Sequence, residues 1–250
     1  MLFFDLVVII VSLILGSFFN VVAIRLLKKE SITFPPSNCP SCHHRLGLFD
    51  LFPLFSYLLL KGRCRYCNKI ISLLYPLGEL LTVITNVLIF QRIGLTSELL
   101  PAFLLSTLLI LSVLTDIREK VILDIITLPS IILFIIVRFF VGEESFLTYI
   151  SGGLIGFGLL LLLAVVSKGG VGGGDIKLYA AIGVVLGPQL TIMSIMFASF
   201  IGAIVGIVLI SFKFIHKKEP IPFGPSIMVG TIVAYLYGKE ILNWYISILM

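Results

Sequence analysis

An all-α, polytopic membrane protein is the fold class this sequence predicts, and three observations predict it. Of 250 residues, 59% are hydrophobic and only 12% charged; the mean hydropathy of +1.17 is too high for a soluble core to hide the apolar side chains. Those residues fall in long runs, most of them reaching the roughly 17–25 residues that cross a bilayer as a helix. The polar residues are gathered as well, into one long hydrophilic excursion, 25–71, that holds all four cysteines. The expected architecture is about eight transmembrane helices with a small cytoplasmic domain between the first and the second.

The runs place helices near 2–24, 72–91, 97–115, 122–141, 146–167, 175–187, 189–212 and 223–248. The first is an expected anchor rather than a cleaved signal peptide, because it lacks a basic leading region, its only early charge is Asp5, and no Ala-x-Ala site follows. The span 175–187 is short, beginning at Asp175 and closed by Gly187-Pro188. Across eight spans, 15 of the 18 basic residues fall on one side, among them Lys213, Lys217 and Lys218, and only Arg92, Arg138 and Lys239 on the other. The rich side is expected to be cytoplasmic, with both termini outside. The net charge of +5 therefore has a topological origin; without an aromatic-interleaved basic face it does not indicate nucleic-acid binding. The organisation expected is a first helix (1–24), a cytoplasmic domain that carries the four cysteines (25–71) and a larger transmembrane domain (72–250).

Cys39-Pro40-Ser41-Cys42 and Cys64-Arg65-Tyr66-Cys67 form two Cys-x-x-Cys knuckles, the pattern of a four-cysteine structural zinc site. Disulfides are disfavoured in a loop that faces a reducing cytosol. A domain this small lacks a core, so a metal would supply much of its folding energy. His43 and His44 are surplus to a complete four-thiolate set.

A second cluster follows the glycine run Gly169-Gly170-Val171-Gly172-Gly173-Gly174, which ends at Asp175-Ile176-Lys177. A carboxylate at the mouth of a membrane helix is costly and marks a functional site; bare glycine backbone beside it admits close approach. The topology nominates Asp116, at the end of the third span, as its partner on the same face. Two such acids can hold a water, one as general base and the other protonating the carbonyl or leaving amine; simple helix capping is the competing explanation for each. Asp124 is placed either to cap the next helix or to support the pair. Glu79 lies inside an apolar run and needs a partner or a cavity.

Gly16-Ser17-Phe18-Phe19-Asn20-Val21-Val22 with Arg25-Leu26, Pro36-Ser37-x-Cys39-Pro40-x-Cys42 with Cys64-x-x-Cys67, and Ile71-Ser72-x-x-Tyr75-Pro76-x-x-Glu79-Leu80 resemble, in order, motifs of the prepilin peptidases, which are GxGD membrane aspartyl proteases. Asp116, Asp124 and Thr127-Leu128-Pro129, and then Gly172-x-Gly174-Asp175-x-Lys177-Leu178, resemble the segments around that family's two catalytic aspartates. The chain departs from the family pattern at Leu27 and Leu123, where proline is usual.

The resemblance implies removal, at the cytoplasmic face, of a short basic leader from type IV prepilins or pseudopilins that carry an apolar N-terminal helix. It also implies N-methylation of the new terminus by S-adenosylmethionine. It makes Asp116 and Asp175 catalytic, gives Gly172, Gly174, Lys177 and Asp124 to the active-site loop, and points to Gly16, Asn20, Arg25 and Glu79 as the neighbourhood of methyl transfer. A peptidase without methyltransferase activity, a presenilin-like intramembrane protease, a zinc or proton transporter and a membrane scaffold are the alternatives. Thr115-Asp116 in place of Tyr-Asp, together with the cysteine loop, argues against the presenilin type; the lack of a central His or Asp pair in any span argues against a transporter.

Overall fold

In the computed structural model, which describes residues 2–212 and 221–249, each of the eight apolar segments is a helix, and a ninth, short one lies in the cysteine loop. In chain order among the described residues these are α1 (Leu2–Leu27), α2 (Phe55–Leu59), α3 (Leu74–Ile93), α4 (Leu99–Glu119), α5 (Asp124–Val141), α6 (Phe146–Val166), α7 (Gly173–Leu186), α8 (Pro188–Ser211) and α9 (Gly224–Leu249). Six of them, α1, α3, α4, α5, α6 and α8, are long and apolar enough to cross a membrane. The protein is a multi-pass membrane protein. At 14 residues, α7 measures about 21 Å against the roughly 30 Å of a hydrocarbon core. The apolar run of α9 is diluted by Lys239 and Glu240. Lys213, Lys217 and Lys218, counted above toward the cytoplasmic side, lie outside the described residues.

The chain divides into two compact units, Met1–Gly94 and Leu95–Met250. In the first, α1 packs along α3. Gly16 makes that approach possible: a Cβ there would lie 2.8 Å from the Glu79 Cα and 3.0 Å from the Thr82 hydroxyl. Polar bonds lock the pair where lipid offers no hydrophobic drive. Asn20 donates to the carbonyls of Gly16 (3.1 Å) and Tyr75 (3.0 Å), and Asn86 donates to the Ser12 hydroxyl (3.1 Å).

The cysteine loop between these helices is a twofold repeat. The Cys39 N–H donates to the His44 carbonyl and the His43 N–H back to Cys39; the Cys64 N–H donates to Lys69 and the Asn68 N–H back to Cys64. His43 and Asn68 both sit at φ 57, and the bridges Asn38 to Arg45 and Arg63 to Ile70 flank the two knuckles. The His44 and Tyr66 rings stack across the repeat at 3.6 Å between centroids.

In the second unit α7 lies against α6 through glycines. A Cβ on Gly152 would meet the Gly183 carbonyl at 2.3 Å, and one on Gly156 the Tyr179 carbonyl at 2.3 Å. The small-xxx-small spacing of Gly152 and Gly156 lets the two backbones touch. On its other side α7 is tied to α8 and α9 by a buried hydroxyl chain: Tyr179 to Ser194 at 3.3 Å and Ser194 to Thr231 at 2.9 Å.

Candidate active site

Asp116 belongs to the helix wall rather than to the loop that follows. The α4 helix runs one turn past it to Glu119 and ends at Lys120, whose left-handed conformation (φ 55) returns its N–H to the Asp116 carbonyl. The side chain is only 6% exposed, which demands a partner. One carboxylate oxygen, Oδ2, accepts the Gly224 N–H at 2.6 Å. Gly224 opens α9, so Asp116 meets the positive end of another helix, where an anion is favoured. Gly224 must be small to do this, as its Cβ would stand 2.9 Å from that same oxygen.

Asp175 is the third residue of α7 and half-buried. It lies close enough to Asp116 for the two carboxylates to interact electrostatically. Two glycines shape its surroundings. Gly172, the N-cap of α7, would carry a Cβ only 2.9 Å from the Asp175 Oδ2, and a Cβ on Gly174 would sit 2.8 Å from the Ile122 Cβ and 3.0 Å from the Ile122 carbonyl. The absent side chains therefore allow the first turn of α7 to rest on the segment between α4 and α5. Asp124, at the start of α5, pairs with Lys177 one turn into α7, Nζ to Oδ2 at 2.6 Å. That ion pair links the two helix starts beside the acids.

In the first unit the cysteine sulfurs of residues 39, 42, 64 and 67 all lie within 4.8 Å of one another, with 3.8 Å between Cys39 and Cys67. A tetrahedron of thiolates at about 2.3 Å from zinc has edges of about 3.8 Å, so the set fits that metal. The backbone N–H of Cys42, aided by that of Ser41, holds the Cys39 thiol below its usual pKa and favours the ligating thiolate. His43 and His44 stay outside the set. Asp50 receives Arg65 at 2.7 Å and Tyr66 at 3.1 Å, bracing the second knuckle from outside. Burial opposes its charge, yet the Gly47 N–H, Arg65 and Tyr66 together keep its carboxyl below the usual range.

The residues linked with methyl transfer are spread between two tasks. Gly16, Asn20 and Glu79 join α1 to α3, and Glu79 also accepts the Leu54 N–H at 2.8 Å, tying the cysteine loop to α3. Arg25 donates to the carbonyls of Ser31 (3.0 Å), Ile32 (2.8 Å) and Pro35. Of the four, only Arg25 borders a groove of about 310 Å³, which Ser17, Phe18, Thr33 and Ser37 also line. The sequence did not single out Gly224 or the Gly152 and Gly156 pair. The Gly224-Pro225 step is a helix-start signal and Gly152-x-x-x-Gly156 a helix-contact signal, but neither says which element it meets.

A bundle of apolar helices with two interacting aspartates and a four-thiol module has the makings of a membrane aspartyl peptidase. Comparison with known proteins agrees. The model described as bacterial peptidase A24 N-terminal domain matches residues 10–93, and that of the type IV leader peptidase family matches residues 103–207. Proteins named prepilin leader peptidase/N-methyltransferase from Bacillus subtilis (strain 168), Aeromonas salmonicida (strain A449) and Pseudomonas aeruginosa are 37%, 33% and 30% identical to the chain. The alignments cover 95%, 100% and 98% of this chain and 96%, 96% and 94% of those relatives. No solved structure matches it. The chain belongs to the type IV leader peptidase family, as an enzyme related along its whole length to the prepilin leader peptidase/N-methyltransferases.

Proposed function

We propose that this enzyme removes the short basic leader of type IV prepilins or pseudopilins at the cytoplasmic face, with both of its own termini outside, and then methylates the new N-terminal amine. The observation that carries the peptidase part is that the first turn of α7, which bears Asp175, rests on the segment that follows Asp116, with Gly174 against Ile122, so that the two carboxylates feel each other's charge. The Gly224 N–H holds one Asp116 oxygen, and the nucleophile is a water held between the two carboxylates. One aspartate takes a proton from that water as it attacks the scissile carbonyl; the other protonates the carbonyl oxygen and, on collapse, a proton passes to the leaving amine. Gly172 leaves the backbone beside Asp175 bare for an extended substrate segment, whereas Gly174 seats α7 against Ile122. The Lys177–Asp124 pair positions the loop that carries it.

Zinc is the metal we assign to Cys39, Cys42, Cys64 and Cys67, in a structural role. S-adenosylmethionine would supply the methyl group. The groove beside Arg25 is its proposed seat, where Ser17, Thr33 and Ser37 offer hydroxyls and Phe18 a ring face. One observation favours the narrower reading of a peptidase alone: Gly16, Asn20 and Glu79 are engaged in the α1–α3 joint.

Co-expression with a prepilin in a host lacking this activity tests both parts. The wild-type chain should yield the shortened pilin, and Asp116→Asn and Asp175→Asn should each abolish cleavage by at least a thousandfold while zinc content and helicity persist. Retained cleavage in both variants rejects the dyad. Mass spectrometry of the processed terminus should show one added methyl group; an unmodified amine with S-adenosylmethionine present selects the peptidase-only reading.

A further inference from the structure

At the end of the second unit opposite the aspartates, a charged cluster lies among apolar helices. Arg138, in the last turn of α5, is 3% exposed. Its Nη1 donates to the Glu98 Oε1 at 2.5 Å and its Nη2 to the Val185 carbonyl at 2.6 Å. The guanidinium stands 4.5 Å over the Tyr149 ring, and the Tyr235 hydroxyl donates to the other Glu98 oxygen at 2.9 Å. A buried cation in a membrane bundle is expensive and needs a reason.

The reason lies in α7. The helix stops after 14 residues at Gly187, where φ is 74, and Pro188 opens α8. Inside hydrocarbon every terminal carbonyl must find a donor. The Gly187 N–H serves Gly183, but the carbonyl of Val184 would need an N–H from residue 188, a proline, which has none. Arg138 brings two things to this end: a donor for Val185, the next carbonyl, and a positive charge at a helix C-terminus, where it is favoured. Glu98 neutralises that charge, and Tyr235 and Tyr149 fix the pair from α9 and α6.

We propose that Arg138, held by Glu98, is a positioning residue for Asp175. Ten residues, about 15 Å of helix, separate Val185 from Asp175, and a helix that short moves as a rod. The glycine contacts with α6 set how near α7 lies, and the Tyr179–Ser194–Thr231 hydroxyl chain holds its middle against α8 and α9. The clamp at its far end sets its depth and rotation, and so where the carboxylate faces Asp116. The inference rests on the peptidase reading above.

The full-length enzyme in vesicles, assayed on a prepilin, tests it with Arg138→Met, Arg138→Lys and the double variant Glu98→Gln with Arg138→Met. Misplacing a reacting group by an ångström costs about a hundredfold. Arg138→Met should therefore lower kcat by about ten- to a hundredfold with KM within twofold, and change the pH profile of kcat, since the two acids titrate as a pair. Arg138→Lys should recover part of the loss. The double variant leaves no unpaired Glu98, so it should regain thermal stability without regaining kcat. A folded Arg138→Met enzyme with wild-type kcat and pH profile overturns the proposal, as does a double variant that recovers both. An arm that needs no substrate separates this claim from the peptidase reading. In a full-length Asp116→Cys, Asp175→Cys chain, cross-linking by a short bis-methanethiosulfonate should fall at least fivefold when Arg138 is Met, and an unchanged yield overturns the proposal. If the wild-type enzyme cleaves no prepilin, the peptidase reading fails and the cross-linking yield alone decides the role of Arg138.

Discussion

The cysteine module and the aspartate site are held together by opposite means. Between residues 26 and 71 the only buried hydrophobic residues are Cys39 and Cys64; the rest is turns, the short α2, backbone hydrogen bonds and a polar network around Asp50, whose side chain is 7% exposed. Such a segment has no core with which to offset its chain entropy. The aspartate site has the reverse character. Asp116 is buried against a helix N-terminus, and α7 is pressed between α6, α8 and α9 by backbone contact through glycines and a chain of buried hydroxyls. With zinc bound as proposed, one region would take its shape from a ligand and the other from the absence of side chains, and they should fail under different insults.

Removing the metal produces the largest expected effect on that contrast. Structural zinc contributes apparent free energies of about 10–16 kcal/mol in small peptides at neutral pH, more than a module without a core can lose. Replacing Cys39 and Cys64 together with serine should abolish bound zinc, measured by elemental analysis, and expose residues 28–71 to limited proteolysis. The helices of the second unit should persist by circular dichroism, with prepilin cleavage within about tenfold of wild type and methylation lost. Cleavage that disappears with the zinc would show that the aspartate site leans on the module after all.

The same contrast explains what was legible in the sequence. The knuckles are local: ligand spacing and the following left-handed residue all fall within a few positions, so Cys39 to Cys67 disclose the module outright. The helices were legible from apolar runs, with errors at their ends. The sequence ended the third span at residue 115, whereas α4 continues to Glu119, and the buried Asp116 carboxylate is met by Gly224, 108 residues away. No local pattern carries that partner. Nor does one link Arg138 to Glu98 and Val185, since periodicity marks a helix but not what its ends will touch. Gly16, Asn20 and Glu79 stood out as a motif, and their shared geometry, a joint between α1 and α3, needed the packed structure to appear.

The aspartate site can be probed at the level of single methyl groups. A methyl on Gly174 would stand 2.8 Å from the Ile122 Cβ and 3.0 Å from its carbonyl, while one on Gly173 would meet nothing within 4 Å. Gly174→Ala should therefore shift α7 away from the α4–α5 segment and lower kcat by about tenfold or more, the cost of a small displacement at a reacting group. Gly173→Ala, one position earlier in the same helix turn, should stay within twofold. If both variants behave alike, the glycines act through flexibility rather than through contact.

The smallest effect belongs to the Lys177–Asp124 pair. At 2.6 Å it has good geometry, but its side chains are 37% and 53% exposed, so solvent screens it and the expected coupling is about 0.2–1 kcal/mol. Lys177→Met and Asp124→Asn should each lower kcat less than about fivefold, the double variant should be no worse than either single one, and the loss should shrink in high salt. A much larger or salt-insensitive loss for Lys177→Met alone would mean that its ammonium acts on the reacting groups themselves. The link between α5 and α7 would then be only a by-product of where that charge has to stand.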